Sequence, residues 1–200
     1  MSAGAQTKSG YLYGCRGIVI TPLLATGLPD DTKKHAIKTA QKAGVEVQYE
    51  DGERSVLRGG DILLAVAEED DTIIGAKFTF TNAKFDAAAT TIIAGGTVLD
   101  DEDPVTPVIN GWAAPLISDP APAPFLAEVY ASNFTSAGKV DGYIKIKLPF
   151  CRGRAASVQF GDKEWSTPEF EIKARENGLT DPKQSCYSKQ FVTALPAELS

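Results

Sequence analysis

The fold is decided by residues 59–98, which read GGDILLAVAEEDDTIIGAKFTFTNAKFDAAATTIIAGGTV. Residues 62–67 and 72–81 are two extended segments that meet at an acidic turn. Extended segments on either side of a charged turn predict a β-hairpin. Residues 62–67 are apolar at every position, which predicts a strand that is covered on both faces. The unit contains no nucleophile, base or phosphate loop, so it favours a scaffold or assembly protein over an enzyme.

Four further segments alternate apolar and polar side chains with a period of two. They span residues 45–50, 125–132, 139–150 and 169–175, and this pattern is typical of strands with one buried face. The side chains predicted to face the core are Val45, Val47, Tyr49, Ile74, Ala76, Phe78, Phe80, Phe125, Ala127, Val129, Ala131, Val140, Ile144, Ile146, Leu148, Phe150, Phe170, Ile172 and Ala174. Many short, half-buried strands with frequent turns predict a mainly β fold, an antiparallel β-sandwich or barrel.

One short α-helix is predicted to flank the sheet at about residues 86–94. Asp86 suits the N-cap, because its carboxylate can accept hydrogen bonds from the free backbone amides of the first helical turn. An apolar stripe follows the cap, and a glycine pair then allows a left-handed exit. A second helix is possible at residues 32–43, although its apolar stripe is thinner.

The composition is that of a folded chain with an acidic surface. The 200 residues are 43% hydrophobic and 23% charged, which predicts a single domain over residues 1–200. The net charge of −6 opposes binding to a nucleic-acid backbone. No apolar run reaches the roughly 18 residues of a membrane span. The first residues lack the pattern of a signal peptide, so we expect a protein that is made in the cytoplasm and not exported by that route.

No cofactor or metal site is expected from the sequence. The three cysteines are Cys15, Cys151 and Cys186. They lack metal-binding spacing and are expected to be reduced, partly buried thiols. His35 is the only histidine and is expected to be a solvated surface residue. The acidic clusters at residues 68–71 and 100–103 lack the spacing of a calcium-binding loop, so they are expected to be solvated turns.

Catalytic and nucleic-acid-binding motifs are also missing from the sequence. It contains no GxGxxG, GxxxxGK[ST], GxSxG or HExxH pattern. Arg16, Arg152 and Arg154 are too few and too scattered along the chain to predict a nucleic-acid patch. An enzyme would have to use a carboxylate pair such as Glu169 and Glu171, which the alternation places on the wet face of a strand.

Two segments are predicted to lie outside the core. Residues 1–20 form an extended N-terminal arm, and residues 100–124 form a long loop that contains six of the twelve prolines. A loop of this length is usually functional or disordered. The apolar side chains of this loop favour docking onto a neighbouring molecule.

Two runs of the sequence resemble a known protein family. The run RGGDILLAVAEEDDTIIGAKFTFTNAKFDAAATTIIAGGTV, residues 58–98, resembles the core of the tail tube (major tail) proteins of long-tailed bacteriophages, particularly those of Gram-positive hosts. The run GKVDGYIKIKLPFCRGRAASVQFGDKEWSTPEFEIKARENG, residues 138–178, is similar to the second half of that family. The resemblance covers about half of the chain, residues 59–98 and 125–178.

The resemblance implies a structural virion protein of the phage tail. Its subunits would close into rings, commonly hexameric, that stack into a hollow tube, and DNA would pass through the lumen without specific binding. Tape-measure and tail-terminator proteins are the further partners that it implies, and no membrane is involved. The candidate assembly residues are Tyr11, Tyr13, Val105, Trp112 and Leu116. The candidate residues of an acidic lumen or loop are Glu68, Glu69, Asp70 and Asp71.

Two other classes of function stay open on the sequence alone. The first is a cytoplasmic ligand-binding β-sandwich, although Trp112 and Trp165 are too far apart in sequence to indicate an aromatic binding face. The second is a carboxylate-dependent hydrolase that uses Glu169 and Glu171. Rings or tubes of the purified protein would favour the tail protein, whereas uniform monomers would favour binding or catalysis.

Overall fold

The structure is a computed structural model, and it describes residues 10–59, 62–101, 108–178 and 183–200. Its elements are the strands β1 (Tyr11–Pro22), β2 (His35–Ile37), β3 (Ala40–Glu50), β4 (Arg54–Gly59), β5 (Ile62–Glu68) and β6 (Thr72–Asn82), the helix α1 (Ala87–Ala94), and the strands β7 (Thr97–Asp100), β8 (Ile109–Ala113), β9 (Phe125–Phe134), β10 (Val140–Gly153), β11 (Glu169–Arg175) and β12 (Ser188–Val192). Short 3₁₀ turns lie at Asp31–Lys33 and Ala197–Leu199. The predicted mainly β class with one short helix is confirmed.

The main sheet contains eight strands and is antiparallel throughout its described pairings. Seven of the strands follow the order β2-β1-β9-β10-β11-β6-β3, and β12 pairs with β10 outside that path. One edge of β10 is therefore shared, with β12 along residues 143–147 and β11 along residues 150–153. The sheet curls far enough to bring β1 close to β3, an arrangement consistent with a β-sandwich.

The inward faces of the strands and of α1 enclose the main core. Phe80 stacks on Phe78 with ring centroids 5.4 Å apart, and on Phe170 with centroids 4.8 Å apart. The alternation predicted the core faces of β9, of β11 and of β6 from Ala76 onwards correctly. It was wrong for Ile74 of β6 and Tyr49 of β3, which are 54% and 56% exposed. The core side chains that it identified are Ala76, Phe78, Phe80, Phe125, Ala127, Val129, Leu148, Phe170, Ile172 and Ala174.

The predicted inward face of β10 is wrong at both ends of the strand. Val140 is 49% exposed, and Phe150 faces away from the core, whereas Cys151 is fully buried. The pairing with β9 shifts register between Leu148 and Cys151. This irregularity contains Pro149, which has no N–H to donate to a ladder and is often found at such bulges. The bulge inverts the alternation that the sequence predicted beyond Leu148.

The opposite face of β9 is also covered, where the sequence predicted a wet face. Val19, Tyr130 and Leu199 form a second, smaller buried cluster. Ser132 is fully buried and accepts a hydrogen bond from the Arg16 guanidinium. The covering segment comes from the end of the described chain, more than sixty positions beyond β9, so the local pattern of β9 holds no sign of it.

The possible helix at residues 32–43 is wrong. This segment forms β2, which pairs with β1, and the start of β3, which pairs with β6. Tertiary pairing overrides a weak local propensity for helix. The predicted helix near residues 86–94 is confirmed as α1, with the Asp86 carboxylate accepting from the Ala89 N–H at 3.0 Å.

The predicted hairpin between the two segments of residues 59–98 is also wrong. Strand β5 pairs with β4, whereas β6 pairs with β3 and β11. Leu64 of β5 is 61% exposed, so the expectation that both faces are covered fails. The apolar run of β5 belongs to an exposed strand, which sequence composition alone does not distinguish from a buried one.

Of the two segments predicted to lie outside the core, the N-terminal arm is partly buried within it, whereas the described residues of the loop belong to neither buried cluster. Residues 11–20 of the predicted N-terminal arm belong to β1, in which Ile18 and Ile20 are fully buried. Within the predicted loop at residues 100–124, β8 pairs with β7 to form a small hairpin. Residues 1–9 lie outside the described residues.

Candidate assembly surfaces

A two-stranded arm, made of β4 and β5, continues the ladder of β3 and β6 beyond the main sheet. The main-sheet pairing ends where Glu50 faces Thr72. Past that point, the Glu69 N–H donates to the carbonyl oxygen of Glu53 at 3.1 Å, and the arm pairing then begins. The Gly52 backbone passes so close to Glu69 that a Cβ at position 52 would lie 1.7 Å from the Glu69 carbonyl oxygen. The arm is therefore the outer part of one long hairpin.

The arm exposes apolar side chains on both of its faces. Val56 lies opposite Val66 on one face, and Leu57 lies opposite Ala65 on the other. Leu57 and Leu64 are each 61% exposed. The described side chains of the arm belong to neither buried cluster, and neither outer edge of the arm pairs with another described strand. Exposed apolar strands with free edges are surfaces that another chain can cover.

The root of the arm carries a dense group of carboxylates, which we name the acidic knuckle. Two turns face each other there, one between β3 and β4 and the other between β5 and β6. The knuckle comprises Glu50, Asp51, Glu53, Glu68, Glu69, Asp70 and Asp71, all exposed. The Gly52 N–H donates to the Asp71 carboxylate at 3.0 Å and holds the two turns together. The predicted acidic turn at residues 68–71 is therefore half of a larger anionic feature.

Aromatic side chains form an exposed patch at the start of β1. Tyr11, Leu12 and Tyr13 are 66%, 57% and 70% exposed. The ring of Tyr13 meets that of Phe134 edge to face, with centroids 5.7 Å apart. Strand β2 covers the outer edge of β1 only from Ile18 onwards, so the edge beside the tyrosines has no described strand partner. The predicted assembly residues Tyr11 and Tyr13 are thus exposed, on an open edge of the main sheet.

The predicted assembly residues of the loop differ in their surroundings. Trp112 is half-buried, and its indole N–H donates to the carbonyl oxygen of Gly95 at 2.8 Å, which fixes the β7–β8 hairpin against the end of α1. Only a part of the Trp112 side chain is therefore open to the assembly contact for which the sequence made it a candidate. Leu116 is 71% exposed. Val105 lies outside the described residues.

A cleft of about 470 Å³ opens on the outer face of the sheet, where β10 pairs with β11. The cations that line it are Arg152, Arg154, Lys173 and Arg175, all exposed, and we name it the basic cleft. The register places Arg152 directly opposite Lys173. The sequence interpretation that the arginines are scattered is wrong for Arg152 and Arg154, because strand pairing joins them to two cations of β11. The sequence signal for this cluster was the position of the cations on the predicted solvent-exposed faces of two alternating strands.

His35 is not the solvated residue that the sequence predicted. Its Nε2 lies 2.8 Å from the Asp86 carboxylate, which also caps α1, and its side chain is 27% exposed. Burial opposes ionisation of Asp86, but the hydrogen bonds from His35 and from the Ala89 N–H outweigh it and lower the pKa of this carboxyl. The pair ties β2, an edge strand, to the start of the helix.

The cysteines are free thiols, as the sequence predicted. Cys151 and Cys186 are buried, and Cys15 is half-buried. Burial raises the pKa of the Cys151 thiol, so it stays protonated and unreactive at neutral pH. These thiols belong to the packing of the core rather than to a reactive site.

Glu169 and Glu171 do not resemble a catalytic carboxylate pair. The Glu171 carboxylate lies 3.1 Å from the Lys77 ammonium, and that hydrogen bond, together with the charges of Lys77 and Arg154, lowers the pKa of Glu171. A general acid requires a raised pKa instead. Glu169 exchanges backbone hydrogen bonds with Ser157 at the rim of the sheet.

No protein-family model matches this chain, and no curated protein matches it. In the described part of the chain, no helix has the length and apolarity needed to cross a membrane. Across residues 10–59, 62–101, 108–178 and 183–200, no three His, Cys, Asp or Glu side chains are grouped so that they could hold a metal ion. The candidate function therefore depends on the surfaces described above.

Proposed function

We propose that this chain is a structural protein that assembles with copies of itself, in the manner of a phage tail tube subunit. The observation that carries the proposal is the arm, which exposes apolar side chains on both faces and whose two outer edges pair with no other described strand. Soluble monomers rarely expose such a strand pair, because it templates pairing with other chains. A neighbouring subunit that lies against the arm would bury these side chains and satisfy the free edges.

Other features of the molecule support association at more than one surface. The tyrosine patch on β1 is a second exposed apolar area, and it also lies beside an open strand edge. A ring that stacks into a tube requires contacts between neighbours within the ring and contacts between successive rings. In the proposed virion tail, DNA passes through the lumen, while tape-measure and tail-terminator proteins set the length of the tube.

The arm can be tested by removing its apolar surface without changing its length. We expect the double variant Leu57→Ser with Leu64→Ser to stay folded, because both side chains are exposed and neither belongs to the core. Association should weaken, since roughly 25 cal/mol is lost for each Å² of apolar surface that is no longer buried. Light scattering and negative-stain electron microscopy measure assembly, and circular dichroism measures folding.

The double variant Phe160→Ser with Trp165→Ser is a matched control. These residues are 88% and 98% exposed, and they lie away from the arm on the segment between β10 and β11. We expect this control to form the same rings or tubes as the wild-type chain. Uniform monomers of the wild-type chain at high concentration would contradict the proposal and favour the ligand-binding β-sandwich.

A further inference from the structure

The basic cleft carries an excess of positive charge, which the one carboxylate in its lining compensates only in part. Glu171 is the one carboxylate among its lining residues, and its partner is Lys77, which lies outside the lining. None of the four cleft cations forms an ion pair in the described part of the chain. Four neighbouring cations repel one another, so an anionic group placed in the cleft would relieve that repulsion.

The acidic knuckle holds the opposite charge at a higher density. On the arm strand beside its seven exposed carboxylates, Arg54 faces Glu68 across the ladder. The carboxylates are not grouped to hold a metal ion. Self-repulsion of this kind is relieved by a cationic surface that lies against both turns at once.

We propose that the acidic knuckle of one copy docks against the basic cleft of a neighbouring copy. The inference rests on the proposed function, and it identifies the pair of surfaces that sets the orientation of neighbours. The guanidinium groups of Arg152, Arg154 and Arg175 suit carboxylates, because each presents a planar fork of donors that two oxygens can share. Knuckle and cleft are different surfaces of the chain, so the contact is head-to-tail.

The acidic knuckle favours a second copy of the chain over DNA as the occupant of the basic cleft. The acidic knuckle lies at the root of the arm. A single neighbouring copy that binds there would cover both the carboxylates of the knuckle and the apolar faces of the arm. A DNA duplex held in the cleft would have to approach a chain with net charge −6 that carries seven carboxylates in the knuckle.

The test reverses the charges on each side separately and then together. The cleft variant is Arg152→Glu with Lys173→Glu, and the knuckle variant is Glu69→Lys with Asp70→Lys. We expect each to raise the protein concentration needed for assembly at least about tenfold, since like charges then face each other. We expect the quadruple variant, and an equimolar mixture of the two double variants, to assemble within about threefold of the wild-type concentration.

Matched controls carry the same changes of net charge at other exposed positions. Lys139→Glu with Lys163→Glu matches the cleft variant, and Asp162→Lys with Glu164→Lys matches the knuckle variant. Neither control should change assembly. Circular dichroism checks the fold of every variant, and the glutamine versions of the cleft and knuckle variants replace any reversed variant that does not fold. Higher salt should also weaken wild-type assembly, because it screens exposed charges beyond about 10 Å at 0.1 M.

The outcomes separate the docking from the proposed function. Wild-type protein that never associates overturns the proposed function and the docking together. Wild-type assembly that neither reversal changes overturns the docking alone, as does a failure of the quadruple variant and of the mixture to recover. A labelled DNA duplex that binds the wild-type protein and loses binding only in the cleft variant, with assembly unchanged, makes the cleft a phosphate-backbone site and overturns the docking.

Discussion

At the scale of single residues, Asp86 connects two elements that are far apart in the sequence. One carboxylate oxygen caps α1 through the Ala89 N–H, and the other contacts His35 on β2. The cap was predictable, because Asp before a run of alanines is a common helix start. The contact with His35 was not predictable. The sequence indicated a possible helix at β2, and the position of β2 beside α1 depends on its pairing in the main sheet.

We predict that Asp86→Ala lowers the free energy of unfolding by about 1–2 kcal/mol, the usual cost of losing an N-cap. Asp86→Asn keeps a capping oxygen and removes only the negative charge, so it should lower the free energy of unfolding less. Its loss measures the contribution of the carboxylate charge beside His35. Urea unfolding followed by circular dichroism measures both losses. Asp162→Asn, at an exposed position, is the control that should change nothing. An asparagine variant as stable as the wild-type chain would contradict the role of the histidine contact, and equal losses for the two variants would contradict the cap.

The same pair predicts a dependence of stability on pH. The pKa of Asp86 is lowered below the ordinary value of 3.8 in the folded chain, so ionised Asp86 favours the folded state. That contribution is fully present above 3.8 and is lost as the pH falls through the lower folded pKa. The stability difference between the wild-type chain and Asp86→Asn should therefore shrink in acid.

At the scale of elements, the sequence predicted strand faces better than strand partners. The alternation was correct for β11 and for β6 from Ala76 onwards, because these residues lie in the middle of the sheet with one face on the core. It failed where β10 passes Pro149, since a bulge changes the face without changing the local composition. The sequence paired β5 with β6, whereas the structure pairs it with β4. Strand pairing depends on the fold of the whole chain, which the local pattern does not contain. The basic cleft was missed for the same reason.

Helix α1 packs against β10 at a position that has room only for glycine. A Cβ at Gly153 would lie 2.1 Å from the side chain of Ile93 and 3.3 Å from that of Ile172. We predict that Gly153→Ala lowers the free energy of unfolding by about 1–3 kcal/mol, the typical cost of overpacking. Gly44→Ala is the matched control, because its Cβ would lie 3.6 Å from Thr79, an ordinary contact. Thermal or urea unfolding that is unchanged in Gly153→Ala would contradict this packing.

At the scale of the whole molecule, the described chain divides into a body with a buried core and an arm that contributes nothing to that core. The sheet edge at the tyrosine patch, the arm and the two charged surfaces all lie on the outside of the body. In the described part of the chain, apolar side chains of the arm and of the tyrosine patch are left exposed outside the core.

We predict that the arm can be removed without unfolding the body. Replacing residues 54–68 with Asn-Gly would join β3 to β6 by a short turn, in the register that already pairs Glu50 with Thr72. The thermal midpoint should stay within about 4 °C of the wild-type value, a shift that corresponds to about 1 kcal/mol for a domain of this size. Assembly should be lost. A large drop in the midpoint would show that the arm stabilises the body and would contradict its separation from the core.

The pairing of β1 with β9 has a consequence for the way the chain is made. Arg16 and Ser132 interact across 116 positions, so β1 leaves the ribosome well before its main partner has been synthesised. At roughly 5–20 residues per second, several seconds pass before β9 emerges. During that time Ile18 and Ile20 have no core to enter, and pairing across so long a separation is itself slow. Until β9 has been synthesised, the apolar side chains of β1 are therefore open to contacts with other molecules.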